Sequence, residues 1–595
     1  MLYTPGCKVP IALLDYEKYL LNSTNNKACG RRAVFLRKYD YDKVIARIKF
    51  RILKKFGKGN VDSIRCCYRF LMDTIQYSHE RPNHNTINDH DCFRFNNCTN
   101  FEDESIIRLQ SDFINVICTE TGENNTAHSI YEDMYAFSKK INTTKPKPTT
   151  CKRHTRYNVL LLGMDSMSLA RAVKSLPRTV AFLKADNWLG FRGYHKIADN
   201  NLPNLMAALT GKRMSSIIND CFGRMDDCND LLIWNDFKKA GYVTAYGEDY
   251  LDLPGIFSKE YQFHRPPTDH YMKPFFAKGE AKRTNNSFLC AGKSPSGKQI
   301  LDYALDFANT YRKHSFFGLF WINSFSHDIA SHPENADKII ENFLNQLTYT
   351  GILANTFIML FSGHGLRFGP MRLKMESYYD DRMPMNFLWV PVLFKGKKPY
   401  ELRAIAINQH RLVTPYDVYS TLLDIKKISL CSNVSDPAPE GCPNCHSMFE
   451  VINSNRTCHD AAIFDKWCTC HKLYPLPVQD TVGIKSVHAV VNHIQKMVQS
   501  METQQCWHCM PLSLKNIVRI HFHYAEDKTS IFYVVAFTLT PGNETYEATV
   551  LRKGDENEHQ IIGPISLISR YRGLGKCAIN RRDRMFCVCQ KEDNC

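Results

Sequence analysis

Residues 158–168, NVLLLGMDSMS, decide the fold that we expect of this 595-residue chain. An apolar run extends from Val159 to Leu162 and leads directly to Gly163 and the carboxylate of Asp165. A short, continuous apolar run is typical of a strand that is buried on both faces of a parallel sheet. The stretch therefore predicts a buried strand that ends on an acidic residue.

The same pattern of strand and polar end recurs further along the chain. Predicted strands at YVTAY (242–246), SFFGLFWIN (315–323) and TFIMLF (356–361) alternate with predicted helices at 169–184, 205–211, 230–240 and 335–347. This alternation predicts an α/β fold with helices on both faces of a parallel sheet, which binds ligands outside the carboxyl ends of its strands. The polar residues at or just beyond these ends are Asp165, Glu248, Asp249, Asp328 and His364. Ordinary loop polarity explains one or two such residues more easily than five, so we expect a site there.

Three regions of the chain differ in composition. Residues 1–150 form a cysteine-containing N-terminal region, and residues 151–430 hold the alternating strands and helices. Residues 431–595 are rich in cysteine and contain apolar stretches such as SIFYVVAFTL (530–539), which indicate a smaller, β-containing, disulfide-bonded region. The polar, proline-containing segment 141–153 is predicted to link the first two regions.

Cysteines and glycosylation sequons indicate the secretory pathway. The chain has 23 cysteines, which an exported protein can pair and a cytosolic one must keep reduced. The odd number leaves at least one thiol free or paired with another chain. Eight sequons agree with export, at Asn22, Asn97, Asn124, Asn142, Asn285, Asn433, Asn455 and Asn543. Patterns such as CPNCH (442–446) and CWHC (506–509) match haem or zinc motifs, but we expect structural disulfides there.

The ends and the charge of the chain add three expectations. The first residues, MLYTPGCKVP, lack the basic and apolar regions of a signal peptide, so we expect that a signal or anchor segment is missing from this start. No stretch reaches the roughly 18 apolar residues of a membrane span, and no transmembrane segment is expected. The net charge is +16, and basic residues concentrate at 31–58 and 570–584. They form either solvated faces or a surface for an acidic partner, such as a sulfated glycan, a small anion or an anionic membrane. Nucleic acid is disfavoured by the compartment.

Five motifs in order resemble those of the alkaline phosphatase superfamily: NVLLLGMDSMS (158–168), DNNLPNLMAALTG (199–211), YGEDY (246–250), SHD (326–328) and SGHGLRFGP (362–370). More closely, the chain resembles the secreted sulfatase-like family called domain of unknown function 229, from about the first cysteine into WCTC (467–470). The resemblance implies an alkaline phosphatase/sulfatase-like sheet sandwiched by helices. It also implies a site with a hydroxyl nucleophile and one or two divalent metals, with zinc expected first.

Several residues match the metal-binding positions of the family. Asp165 matches the first metal carboxylate, and His364 lies in the motif that supplies two further ligands. Asp328 with His332 fits the D-x-x-x-H spacing of a second metal, and His327 is a competing assignment.

Two positions depart from the family pattern. Asn201 stands where the nucleophile is expected, and its carboxamide has no oxygen comparable to a metal-bound hydroxyl. Gly363 removes a carboxylate, so this metal site would keep only Asp165 and His364, whereas zinc sites normally have three protein ligands and a water. Ser166 or Ser168 could conceivably replace the nucleophile. The maturation motif C/S-x-P-x-R does not occur in the chain, which argues against a formylglycine sulfatase.

Three hypotheses follow. The first is a secreted sulfatase/phosphatase-like glycoprotein that is catalytically impaired or inactive. The second is an active metal-dependent phosphate or sulfate ester hydrolase with a rearranged site. The third is an anionic-glycan-binding extracellular module that acts through its basic segments. In the first two, Glu248 and Asp249 bind substrate hydroxyls or a second cation, or else cap a loop, and Arg367 meets an anionic ligand or is structural.

Overall fold

The computed structural model describes residues 2–10, 28–57, 63–73, 93–122, 126–142, 156–221, 225–251, 253, 256–257, 261–281, 288–327, 332–434, 436–525, 529–553, 558–592 and 595. Residues 143–153 of the predicted linker, the sequons at Asn22, Asn124 and Asn285, and Asp328 lie outside these ranges. Within them, no helix is both long enough and apolar enough to cross a bilayer.

Short antiparallel strands build the N-terminal region. They are β1 (Tyr3–Thr4), β2 (Cys7–Lys8), β3 (Val34–Asp40), β4 (Lys43–Ile48), β5 (Ile64–Asp73), β6 (Phe93–Phe95), β7 (Thr99–Phe101), β8 (Ile106–Arg108), β9 (Phe113–Thr121) and β10 (Ala127–Ala136), with the helix α1 (Phe50–Leu53) after β4. One sheet has the order β10-β9-β5-β6 with β7 also paired to β5, and another has the order β3-β4-β8. Val34, Val44, Phe70 and Val116 belong to one apolar core in this region.

A seven-stranded sheet forms the centre of the chain. Its strands are β11 (Asn158–Met164), β12 (Leu189–Gly190), β13 (Val243–Glu248), β14 (His270–Tyr271), β18 (Phe316–Ile322), β19 (Thr356–Phe361) and β20 (Asn386–Trp389), and a small sheet of β15 (Glu280–Ala281), β16 (Cys290–Ala291) and β17 (Ser294–Pro295) lies between β14 and β18 in the chain. The strand order is β12-β20-β19-β11-β18-β13-β14. β11 runs parallel to both β18 and β19, and β20 is antiparallel to β19. The predicted parallel sheet is confirmed.

Strand β11 is buried on both faces of this sheet. Val159 and Leu161 belong to one apolar core, whereas Leu160 and Leu162 belong to another. Successive side chains of a strand point to opposite faces, so the continuous apolar run supplies both cores at once. The central position of β11 places Asp165 at the middle of the carboxyl edge.

Helices cover the central sheet. They are α2 (Leu169–Ser175), α3 (Pro177–Ala185), α4 (Asn201–Thr210), α5 (Met214–Cys221), α6 (Ile233–Lys239), α7 (Lys273–Gly279), α8 (Ser296–Thr310), α9 (Asp337–Tyr349), α10 (Ser377–Arg382), α11 (Val392–Lys397), α12 (Pro399–Asn408) and α13 (Pro415–Leu430). The single helix expected over 169–184 is in fact two, because Pro177 lacks an N–H and begins α3. Ser168 caps α2 by accepting a hydrogen bond from the backbone N–H of Arg171 at 2.9 Å.

The C-terminal region is a second sheet with one long helix. Its elements are β21 (Tyr474–Leu476), α14 (Thr481–Gln499), β22 (Trp507–Cys509), β23 (Ser513–Tyr524), β24 (Ser530–Thr540), β25 (Thr545–Lys553), β26 (His559–Leu567) and β27 (Cys589–Lys591). The main sheet has the order β21-β23-β24-β25-β26 and is antiparallel. Val487, Val491 and Ile494 of α14 pack in one core with Val535 and Ala548 of this sheet.

Disulfides connect the regions as well as closing local loops. Cys7–Cys470 and Cys29–Cys290 tie the N-terminal region to distant parts of the chain. Cys442–Cys445, Cys506–Cys595 and Cys509–Cys587 account for the haem-like and zinc-like patterns, as expected.

Candidate active site

Asp165 lies at the centre of the candidate site, one residue beyond β11. Its Oδ2 is 2.5 Å from Nδ1 of His327, which follows the neighbouring strand β18, and its Oδ1 is 3.6 Å from Nε2 of His364, which follows β19. Asn201 Nδ2 donates a hydrogen bond to Oδ1 of Asp165 at 2.7 Å. Burial would raise the pKa of Asp165, but the charge and hydrogen bond of His327, the charge of His364 and the amide of Asn201 hold it well below its usual value.

His364 presents an unprotonated nitrogen to Asp165. Its Nδ1 lies 2.7 Å from the carbonyl oxygen of Gly365, so Nδ1 carries the proton and Nε2 carries a lone pair. Burial is the main reason that the pKa of His364 is lowered to about 4, which keeps the ring neutral near pH 7. A histidine lone pair and a carboxylate that face each other in a buried site are ligands that a cation could bridge.

Asn201 and Gly363 fit together sterically. Asn201 is the first residue of α4, and its Oδ1 is buried without a hydrogen-bond partner. A Cβ at residue 363 would lie only 2.5 Å from this Oδ1. The missing side chain at Gly363 therefore makes room for the carboxamide oxygen of Asn201. The two departures from the family pattern form one arrangement.

Hydroxyl groups near Asp165 already have hydrogen-bond partners. Ser166 Oγ donates to Asp165 Oδ1 at 3.2 Å, and Ser168 Oγ donates to Asp380 Oδ1 at 2.6 Å. Ser362 Oγ accepts from the backbone N–H of Met167 at 3.1 Å and donates to the carbonyl oxygen of His364 at 2.9 Å. Each hydroxyl stabilises the local backbone or a carboxylate.

Glu248 and Asp249 hold the loop that follows β18. Asn323 Nδ2 donates to Glu248 Oε1 at 2.9 Å, and the backbone N–H of Asn323 donates to Asp249 Oδ1 at 2.6 Å. Asp249 Oδ2 accepts from Ser324 Oγ at 2.5 Å. Burial and the negative charge of Glu280 raise the pKa of Asp249 to about 8. The loop-capping alternative thus has a direct structural basis, and the loop leads to His327.

We expect Asp249→Ala to lower the free energy of unfolding by about 2–4 kcal/mol, because it leaves the buried donors of Asn323 and Ser324 without an acceptor. Denaturant unfolding measures the change. Ser324→Ala, which removes only one of these donors, is the matched control and should cost about 1 kcal/mol. Equal costs for the two variants would contradict this role of Asp249.

The other predicted site residues are less central. Arg367 is half-buried and donates a hydrogen bond to Oδ1 of Asn200. His332 is buried with its Nδ1 unpartnered, and no hydrogen bond or ion pair joins it to Asp165. Asp328, the other residue of the expected second metal site, lies outside the described residues. Of the two competing histidines, His327 is the one that contacts Asp165.

Within the described residues, groups of three or more His, Cys, Asp or Glu ligand atoms within 4.8 Å of one another consist only of cysteines. These cysteines, Cys458, Cys468 and Cys470 in one group and Cys509, Cys577 and Cys587 in the other, are all in disulfides. Asn201, whose carboxamide reaches Asp165 through Nδ2, is a residue type outside that set.

The sheet order and the acid and histidines at adjacent strand ends define an α/β protein with a candidate site at the carboxyl edge of its central sheet. The chain is similar to an alkaline phosphatase superfamily protein of Vibrio parahaemolyticus, with 13% identity over 70% of this chain and 85% of that one, at a TM-score of 0.35. It is also similar to the putative sulfatase yidJ of Bacteroides fragilis, with 12% identity over 71% and 90% of the two chains and a TM-score of 0.33.

The chain belongs to the family described as protein of unknown function (DUF229), whose model matches residues 24–518. A comparison with curated proteins found no match.

Proposed function

We propose that this protein is a secreted member of its family that binds a divalent cation and an anionic ligand without covalent group transfer. The observation that carries the proposal is the carboxamide of Asn201 in the nucleophile position, with its oxygen in the space left by Gly363. A covalent mechanism of this fold needs a hydroxyl that the cation activates. Asn201 supplies none. The hydroxyl of Ser166 donates to Asp165 itself, and those of Ser168 and Ser362 donate to Asp380 and to the backbone of His364.

The donor atoms present fit a single cation. Asp165 offers a carboxylate, His364 the lone pair of Nε2, and Asn201 the unpartnered Oδ1. Three protein ligands leave positions for water or an anion, as in open zinc sites, and the two oxygens also suit manganese or calcium. When bound, the cation would supply a positive charge that orients an anionic group. Asn201 would position Asp165 through its Nδ2, and His364 would be oriented by Gly365.

Features of the surface and of the cysteines support an extracellular setting for this activity. The five sequon asparagines that the structure describes, Asn97, Asn142, Asn433, Asn455 and Asn543, are all exposed. Glycans are bulky and need such exposure. The disulfides that join distant regions form readily only in an oxidising compartment.

The test of the cation site is metal binding by the purified chain. We expect calorimetric titration with zinc, manganese or calcium to show one site, with Asp165→Ala abolishing binding and Asn201→Ala weakening it about tenfold or more. His332→Ala is a control in a buried histidine that does not contact Asp165. Undiminished binding by Asp165→Ala would overturn the proposal.

Absence of group transfer is tested separately with a panel of phosphate monoesters, phosphate diesters and sulfate esters. We expect no turnover above that of Asp165→Ala at saturating metal. Turnover that disappears in Asp165→Ala would instead establish the alternative of an active hydrolase with a rearranged site.

A further inference from the structure

A second cluster of buried charges lies where the helices and loops of the central sheet meet the C-terminal sheet. Its cations are all at most 6% exposed, and they come from five separate segments of the chain. These cations are Lys196, Arg372, Arg382, Lys466 and Arg519. Gly365, next to His364, donates its N–H to the carbonyl oxygen of Asp381 in this cluster, so the cluster adjoins the candidate active site without sharing its ligands.

The carboxylates in the cluster are fewer than the cations. Asp381 is 2.7 Å from Nζ of Lys196, and Glu547 of β25 is 3.1 Å from Nη2 of Arg382 and 3.4 Å from Nη2 of Arg372. Arg519 also bonds to Glu547. A third carboxylate, Asp199, lies at the rim with its side chain 22% exposed, 3.7 Å from Lys196. With all three ionised, the described residues of the cluster carry two more positive than negative charges.

Several donors of the cluster have no hydrogen-bond partner. Lys466 Nζ is unpartnered although the residue is only 1% exposed. Nε and Nη1 of Arg519 and Nε of Arg372 are also buried and unpartnered. Buried donors of this kind normally bond to protein or bound ligand, and a charged one is especially costly to leave bare.

Three of the cations surround one indole ring. Nζ of Lys196 and Nζ of Lys466 lie 4.5 Å and 4.9 Å from the ring centroid of Trp467, and the guanidinium carbon of Arg382 lies 5.4 Å from it. The ring face attracts cations, but it cannot neutralise three like charges at this spacing.

The backbone is shaped to admit Lys466. Gly563, where the pairing of β26 with β25 is irregular, has a φ of 69°. A Cβ there would lie 3.0 Å from Cδ of Lys466. The stem of Lys466 therefore packs against a glycine at a bulge, which brings its ammonium into the cluster instead of out to solvent.

Two imidazoles beside the cluster are neutral. Burial is the main reason that the pKa of His195 and that of His521 are each lowered to about 4, and the charges of Arg382 and Arg519 contribute in the same direction. These rings are neutral near pH 7 and do not add to the charge.

We propose that this cluster is a binding site for a small inorganic anion, held by Lys466 Nζ and by the free N–H groups of Arg519 and Arg372. The described residues of the cluster also hold one unpartnered acceptor, Oδ1 of Asp381, against four unpartnered donor atoms. An anion would supply further acceptors and the missing negative charge. The proposal is independent of the cation site, because it uses none of the residues around Asp165.

The test is thermal unfolding of the full chain at pH 6.5 and constant ionic strength, with gluconate replaced stepwise by chloride, bromide, phosphate or sulfate. We expect a saturable rise of the midpoint by about 3 °C or more for at least one of these anions. Halides acting alone, or oxyanions acting alone, identify the class of ligand. Lys466→Met should lose most of the rise.

Lys395→Met is the matched control, because Nζ of Lys395 also lies over an indole, 4.2 Å from the ring centroid of Trp389, but outside the cluster. It should keep the full anion response. A bromide-soaked crystal of the unaltered protein provides a check that needs no folded variant, with an anomalous peak expected beside Lys466 Nζ or Arg519. No anion-specific rise, or an unchanged response in Lys466→Met, would overturn the proposal. The absence of a bromide peak at these atoms would also overturn it if bromide is among the anions that raise the midpoint.

Discussion

Glu547→Gln is expected to lower the free energy of unfolding by about 3–5 kcal/mol, since removing one partner of a buried ionic network leaves the other charges uncompensated. Glu547 is 1% exposed and contacts the guanidinium groups of Arg372, Arg382 and Arg519. It joins the C-terminal sheet to the central domain. Denaturant unfolding of both proteins at neutral pH measures the loss.

The pH dependence gives a second readout for the same variant. Burial would raise the pKa of Glu547, but the positive charges of Arg372, Arg382 and Arg519 hold it well below the ordinary value of 4.5. A carboxyl group whose pKa is lower in the folded than in the unfolded state contributes its full stabilisation of the fold above the unfolded pKa. This contribution is lost as the pH falls through the folded pKa. Glu547→Gln should therefore flatten the loss of stability below about pH 4.5.

Glu544→Gln is the control for this change, since Glu544 is also buried and lies beside the same strand, but it pairs with one arginine, Arg572, whose side chain is 53% exposed. It should cost no more than about 1 kcal/mol. Similar costs for the two variants would contradict a network role for Glu547.

The sequence predicted the central part of the site because strand ends are visible in it. Asp165, His327 and His364 each follow an apolar run, and adjacent parallel strands bring such ends together. Glu248 is the last residue of β13, which β18 separates from β11, and its carboxylate bonds to Asn323 and not to Asp165. Glu248 and Asp165 both lie at strand ends in the sequence, but their strands are not adjacent in the sheet, so the two side chains belong to different groups of contacts.

Contacts between side chains that lie far apart in the chain could not be predicted from the sequence. The sequence around Lys196, Arg382 and Glu547 does not indicate that they are buried, because charged residues are nearly always on the surface. Only the packing of the C-terminal sheet covers these three side chains. The break at Pro177 was visible in the sequence, yet the apolar spacing on either side of it suggested a single helix.

The steric fit of Asn201 and Gly363 could likewise not be predicted, although the sequence showed that both residues differ from the family pattern. Gly363→Ala is expected to cost about 1–3 kcal/mol, because the new Cβ would lie 2.5 Å from Asn201 Oδ1 and would push the carboxamide from Asp165. In an Asn201→Ala background the nearest remaining atom of residue 201 is its Cα at 3.3 Å, so the same change should cost little. Denaturant unfolding of the two single variants and the double variant gives a coupling energy, expected to be about 1–2 kcal/mol.

Gly396→Ala is the matched glycine control, since an added Cβ there meets nothing within 4 Å, and it should leave stability unchanged or slightly raised. Metal titration of the same proteins links this fit to function. If Asn201 Oδ1 is a ligand, Gly363→Ala should weaken cation binding about as much as Asn201→Ala does, and the double variant should be no weaker than either. Additive losses of stability would show that the two positions are independent. Additive losses of affinity would show that the oxygen of Asn201 does not bind the cation.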